Sequence, residues 1–230
     1  MPAAYSTDNH NNNFAAPIGA LSRFARRRAL APEAVEHCEL CSAVIASEHH
    51  HLLELASHRI ICACDACSLL FGNEGACGGK YRIIPRRYLA LSDFAMSDEQ
   101  WNELMIPVNI VYIFHSATAG RPVAFYPSPA GATESVLSLE NWEALVDSNP
   151  ILKSALEPDV EALLINRIGE SREYYIVPID ACYRLVGLIR VSWRGLSGGE
   201  EVWRVIEQFF ADLRTKSRPV KGEGHAGSEF

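Results

Sequence analysis

HCELCSAVIASEHHHLLELASHRIICACDACSLLF, residues 37–71, holds five of the chain's seven cysteines. Four of them form two Cys-x-x-Cys pairs, Cys38/Cys41 and Cys64/Cys67, and Cys62 stands just ahead of the second pair. Twenty-two residues separate the pairs, close to the roughly 15–20-residue gap of a tetrahedral zinc site built from two such pairs. The spacing has a mechanical reason. Two cysteines three apart direct both sulfurs at one ion from a single tight turn, and a second turn completes four thiolates at about 2.3 Å around Zn²⁺.

The segment between the pairs reads as a hairpin. HHHLLELASHRIICAC has two apolar, strand-like arms with Ala56-Ser57 near the middle. Antiparallel pairing around a two-residue loop there sets His51 opposite Cys62 and His49 opposite Cys64, within about 5.5 Å between Cα atoms. His49 and His51, like Cys62 and Cys64, are two apart, so each pair shares one face of its strand. The sequence thus offers more ligands than one zinc needs: Cys38, Cys41, Cys64 and Cys67 first, with Cys62, His49 and His51 in reserve. His50, His58 and His115 read as surface residues. Cys77, in the glycine-rich GNEGACGGK, is expected on a mobile loop, and Cys182, flanked by apolar residues, in the core.

The 230 residues suffice for a metal-stapled module joined to a domain of ordinary size. With 48% hydrophobic and 21% charged residues the composition is that of a soluble protein, and no apolar run approaches the roughly 20 residues of a membrane helix. Arg26, Arg27 and Arg28 are not followed by the apolar stretch of an export signal. The expected location is therefore the cytoplasm, where reduced thiols favour metal over disulfide. A net charge of −7 argues against a nucleic-acid partner. The basic segment KYRIIPRRY, residues 80–88, reads as a strand with a basic wet face and a turn at Pro85.

The reading divides the chain into a flexible N-terminal arm over 1–34, with a short helix in IGALSRFARRRAL, a cysteine-rich zinc-ribbon-like module over 35–91, an α+β domain over 92–218 and a flexible tail over 219–230. In the third segment SDEQWNELM carries a helix start, Ser97 with Gln100 three residues on forming a capping box. PVNIVYIFHSA and RPVAFYPSP follow as strands, then one helix in SLENWEALVDS and a short one after Pro150. EALLINRIG, REYYIVPID and CYRLVGLIRVSW read as three further strands in a meander. In the last helix Val202, Ile206, Phe209, Phe210 and Leu213 make one apolar stripe, closed by Arg214, Lys216 and Pro219. The fold class is α+β, with a zinc-ribbon-like module beside an antiparallel sheet of about five strands packed with helices.

Catalytic signatures are absent: there is no G-x-S-x-G, H-E-x-x-H, P-loop or G-x-G-x-x-G. FYPSPAGATES reads as a structured turn. Glu134, Asp159, Glu161 and Asp180 are candidate acids or bases for which spacing identifies no histidine partner. Two Cys-x-x-Cys pairs also suit a single iron of the rubredoxin kind or, with further ligands, an iron–sulfur cluster, so iron stays open beside zinc. The phrases CELC, EHHHLL, CACDACSLLF, KYRIIP, IPVN, AFYPSPAGATES, PDVEALLINR, YYIVPIDACYRLVGLIRVSWRGLSGGEEVW and FFADLR resemble a bacterial family without assigned activity. That family occurs in gene clusters of actinobacterial-type, oxygen-tolerant nickel-iron hydrogenases. The resemblance implies an accessory protein whose partner is a hydrogenase subunit or maturation factor, or an electron-transfer protein serving that enzyme. It points to Cys38, Cys41, Cys62, Cys64, Cys67, His49 and His51. A nucleic-acid-binding regulator built on KYRIIPRRY is the remaining alternative.

Overall fold

A computed structural model describes residues 35–73, 75–135, 139–195 and 198–221. The arm and helix expected before residue 35, and the tail from 222, lie outside these residues.

Near the N-terminus, β1 (His50–Glu54) and β2 (Arg59–Ala63) form the hairpin between the cysteine pairs, α1 (Asp65–Phe71) follows, and β3 (Tyr81–Ile83) adds to the other edge of β1. His51 faces Cys62, the register read from the sequence. The turn is longer than two residues: pairing closes at Glu54 and Arg59, and His58 sits at φ 53°. At the end of α1 the chain comes close to β1 and β3. A Cβ at Gly72 would lie 2.5 Å from the Ser68 carbonyl oxygen and 3.1 Å from Ile83 Cβ, so only glycine fits without displacement.

The larger part is a seven-stranded sheet rather than one of about five. Its elements are β4 (Leu89–Leu91), α2 (Asp98–Glu103), β5 (Ile110–Ser116), β6 (Arg121–Ser128), β7 (Gly131–Ser135), α3 (Leu139–Ser148), α4 (Ile151–Ala155), β8 (Glu161–Asn166), β9 (Glu173–Pro178), α5 (Ile179–Ser192), α6 (Gly199–Lys216) and β10 (Arg218–Val220). The order is β10-β4-β9-β8-β5-β6-β7, antiparallel except for the parallel pair β10/β4. Four expected strands are present. The fifth, CYRLVGLIRVSW, is helix α5: Ile179, Cys182, Leu185, Val186 and Ile189 are buried at helical intervals, so its β-branched content was a weaker signal than its period. The presumed turn FYPSPAGATES is the β6/β7 hairpin. β4, placed by the sequence in the cysteine module, belongs to this sheet, and Pro219 and Val220, placed in the tail, belong to β10. At three residues each, these two strands are too short to show an alternation.

β8 is buried along its whole length because helices cover both faces of the sheet. Ala162 and Leu164 point to the layer of α5 and α6, where Leu185, Ile189, Val202, Ile206 and Phe210 pack. Leu163 and Ile165 point to the layer of α2, α3 and α4, where Leu104, Leu145 and Leu152 pack. The α6 stripe read from the sequence, Val202, Ile206, Phe209, Phe210 and Leu213, is the buried face. Ser97 and Gln100 form the expected capping box at α2. Among the described residues no helix is long and apolar enough to cross a membrane.

β1 serves two cores. Leu52 joins Cys38, Ile61, Ala63 and Cys67 in a small cluster of the cysteine module. Leu53, its neighbour, turns to the other face and packs with Ile84 into the core beneath α5 and α6. The module is thereby seated on the sheet.

Candidate metal centre

The first cysteine pair lies on a tight turn. His37 bridges Val44, Cys38 N–H donates to the Ala43 carbonyl at 2.8 Å, and Ser42 N–H donates to the Cys38 carbonyl at 2.8 Å with Ser42 at φ 61°. The second pair straddles the start of α1. Cys64 is its N-cap, with Sγ accepting from Cys67 N–H at 3.5 Å. Glu39 ties the two together: its N–H donates to the Cys62 carbonyl at 2.9 Å, and its carboxylate accepts from Cys62 N–H at 2.7 Å.

These contacts bring the sulfurs of Cys38, Cys41, Cys64 and Cys67 within 4.8 Å of one another. Cys41 Sγ and Cys64 Sγ are 3.6 Å apart. Four thiolates at about 2.3 Å from one ion would stand about 3.8 Å apart, so the group fits a tetrahedral ion with little adjustment. All seven cysteines are free thiols. Burial disfavours ionising Cys38, but hydrogen bonds from the backbone of Cys64, Leu40 and Cys41 outweigh it and lower its pKa to about 6. Burial, with the neighbouring thiols of Cys41, Cys64 and Cys38 adding to it, pushes Cys67 well up. A cation among the four sulfurs would favour their thiolate forms together.

The reserve candidates separate from this group and form their own. One ring nitrogen each of His49 and His51 and the Cys62 sulfur lie within 4.8 Å of one another. His51 Nδ1 lies 2.6 Å from Asp180 Oδ2, on the first turn of α5. Asp180 is thus an acid with a histidine partner after all, one that spacing hides because the two lie 129 positions apart. Burial, then the charges of Glu39 and Glu36, raise the pKa of Cys62.

The other candidates lie elsewhere. Cys77 is exposed in a short 3-10 turn, and Cys182 is fully buried, its pKa pushed well above the usual thiol value by burial and then by Asp180. His50 lies 3.4 Å from Asp65, and Glu134 pairs with Arg121 at 2.9 Å. The basic segment turns inward more than a wet face implies. Arg87 holds the fully buried Glu161 through two bonds, at 2.6 and 2.7 Å, and Arg82 lies 3.6 Å from the buried Asp159. Lys80 pairs with Glu54 at 3.1 Å.

Fold and site together define a cysteine-rich α+β protein with a four-cysteine group able to hold a metal ion. The chain belongs to DUF5947, a family of unknown function whose model matches residues 37–217. No curated protein and no solved structure matches the chain.

Proposed function

We propose that Cys38, Cys41, Cys64 and Cys67 hold one zinc ion as the staple of a zinc-ribbon-like module, and that the protein is an accessory factor presenting this module to a protein partner. The observation that carries the first half is the convergence of four free sulfurs, from two turns cross-linked by Glu39, at the spacing of a tetrahedral ion. Four thiolates saturate zinc and leave no open position for a substrate, so this ion has a structural task. Support for the second half comes from apolar side chains that the module leaves exposed, Val44, Leu69 and Leu70. The partner rests on the resemblance described above, which implies a role in the assembly or function of a nickel-iron hydrogenase.

Metal analysis and an absorption spectrum of protein purified anaerobically without chelator test the first half. A colourless four-cysteine site containing zinc is the expected result; iron with visible charge-transfer bands would replace the staple by a redox centre. Deleting the gene tests the partner. The yield of assembled hydrogenase should fall while the turnover of the enzyme that does form stays the same, and unchanged yield would remove the hydrogenase from the account.

A further inference from the structure

His49, His51 and Cys62 lie outside the four-cysteine group, and their hydrogen bonds fix which ring atoms remain free. His49 Nδ1 is 2.9 Å from the Ala46 carbonyl oxygen and 3.3 Å from a Glu36 carboxylate oxygen. Both partners accept, so the ring proton sits on Nδ1 and Nε2 keeps its lone pair. That Nε2 is buried and has no hydrogen-bond partner among the described residues, on a side chain only 8% exposed. An unpartnered buried acceptor is costly, and none of the described residues satisfies this one. The Asp180 carboxylate likewise accepts from His51 Nδ1 at 2.6 Å, leaving His51 Nε2 as the free nitrogen. A carboxylate behind the far nitrogen of a histidine is the arrangement that orients metal-binding imidazoles and raises their basicity. The two rings meet edge to face, with centroids 4.9 Å apart, and Cys62 stands opposite His51 on the paired strand.

The space in front of these rings is a cavity of about 570 Å³ whose charged and histidine lining is His49, His51, Arg86, Arg184 and Lys216 with the carboxylates Glu48 and Asp180, three cations against one carboxylate not bound to a histidine. Asp180 is bound to His51, and the three basic side chains reach the cavity from the β3–β4 connection and from α5 and α6. None of the three forms an ion pair with another of the described residues, and all three are exposed residues at the cavity's lining.

The geometry points to a second metal site: His49 and His51, each through Nε2, and Cys62 through sulfur bind a divalent ion of the zinc class, and its remaining position faces a basic cavity that takes an anion. Three protein ligands of the nitrogen and sulfur type with one open position distinguish a ligand-binding zinc site from a closed structural one. Mixed imidazole and thiolate donors favour zinc over calcium or magnesium. Asp180 is a positioning residue that acts through His51. The ion satisfies the orphaned His49 nitrogen, and an anion bound on its open side meets Arg86, Arg184 and Lys216. The site stands apart from the four-cysteine staple, with which it shares no ligand.

Cobalt(II) titration of the metal-free full chain tests this, because Co²⁺ reports its ligands by absorption. Two ions per chain are expected, one with the spectrum of four thiolates and one with that of a single thiolate and two imidazoles. His49→Ala and Cys62→Ser each remove the second ion and its bands while the four-thiolate spectrum stays. Asp180→Asn weakens the second ion by about 10–100-fold and leaves the first unchanged. Inorganic phosphate shifts the second set of bands, and Arg184→Ala weakens that response by about tenfold, as loss of one charge-assisted contact predicts. Saturation of the wild-type chain at one ion with a purely thiolate spectrum overturns the proposal even where a variant fails to fold. Failure of the staple reads differently, as absence of the four-thiolate spectrum. Bands that ignore phosphate would overturn the anion half.

Discussion

The sheet buries Leu164, Ile176 and Phe210 between helices on both faces, whereas the cysteine module has a core of its own made from Cys38, Leu52, Ile61, Ala63 and Cys67. Two of those five are candidate ligands. The sheet therefore has apolar area enough to hold itself together, each large side chain contributing roughly 1.5–3 kcal/mol on burial. The module does not, and pieces this small depend on a metal, a disulfide or a partner. Among the described residues its fastenings to the sheet include Leu53, Ile84, Leu55 and Ile60 against the shared core, His58 beside the Phe114 ring, His51 on Asp180, and Arg82 on Asp159 and the Pro158 carbonyl. The difference teaches where each kind of change should be felt.

The largest effect is expected from Cys64→Ser, which removes a ligand while the serine hydroxyl can still cap α1, so that the loss is the ion's alone. Structural zinc contributes on the order of 10–16 kcal/mol to such modules. The variant should lose the four-thiolate ion and unfold β1 and β2, while the sheet keeps its cooperative melting transition. A Cys64→Ser protein that retains its zinc would break the comparison at its first term.

Phe210→Ala probes the other side. Removing a fully enclosed ring from beneath α6 should cost about 3–5 kcal/mol, read as a lower midpoint in denaturant, with metal content unchanged. Loss of zinc from this variant would mean that the module depends on the sheet and not on its ion. Arg87→Ala sharpens the boundary between the two, because Arg87 precedes β4 and holds Glu161 at the start of β8. Truncation leaves a buried carboxylate unpaired. Since the Arg87 side chain is 42% exposed, the expected cost is about 2–3 kcal/mol, below that of a fully buried pair. Glu161→Gln made in the same background should recover part of it, and no recovery would assign the cost to something other than the unpaired charge. Smallest is Cys77→Ser, at an exposed position outside both metal groups, with an expected change within about 0.5 kcal/mol and no change in metal content. A measurable loss of bound ion would make Cys77 a ligand.

What was legible in the sequence is what depends on local spacing. The cysteine turns, the register that sets His51 against Cys62, the capping box at Ser97 and the stripe of α6 all repeat within a few residues. Two kinds of feature escaped. Helix α5 carries Val, Ile and Tyr in a run that suits a strand, and its period of burial emerges only when Ile179, Cys182, Leu185 and Ile189 are taken together. The three-residue strands β4 and β10 exist because β9 and β4 offer them edges, which no local pattern announces. The same holds for the site. Its seven candidate ligands were readable, but their division into a group of four and a group of three depends on Glu39, Glu36 and the distant Asp180, which position them through the fold.

Hydrogen exchange on the full chain, metal-loaded and after chelation, tests the central claim most directly, that an ion holds the cysteine module while the sheet holds itself. Chelation should strip protection from the amides of β1, β2 and α1 and leave β5, β8 and β9 as protected as before. Equal protection of the module with and without metal, or collapse of the sheet along with it, would contradict the account.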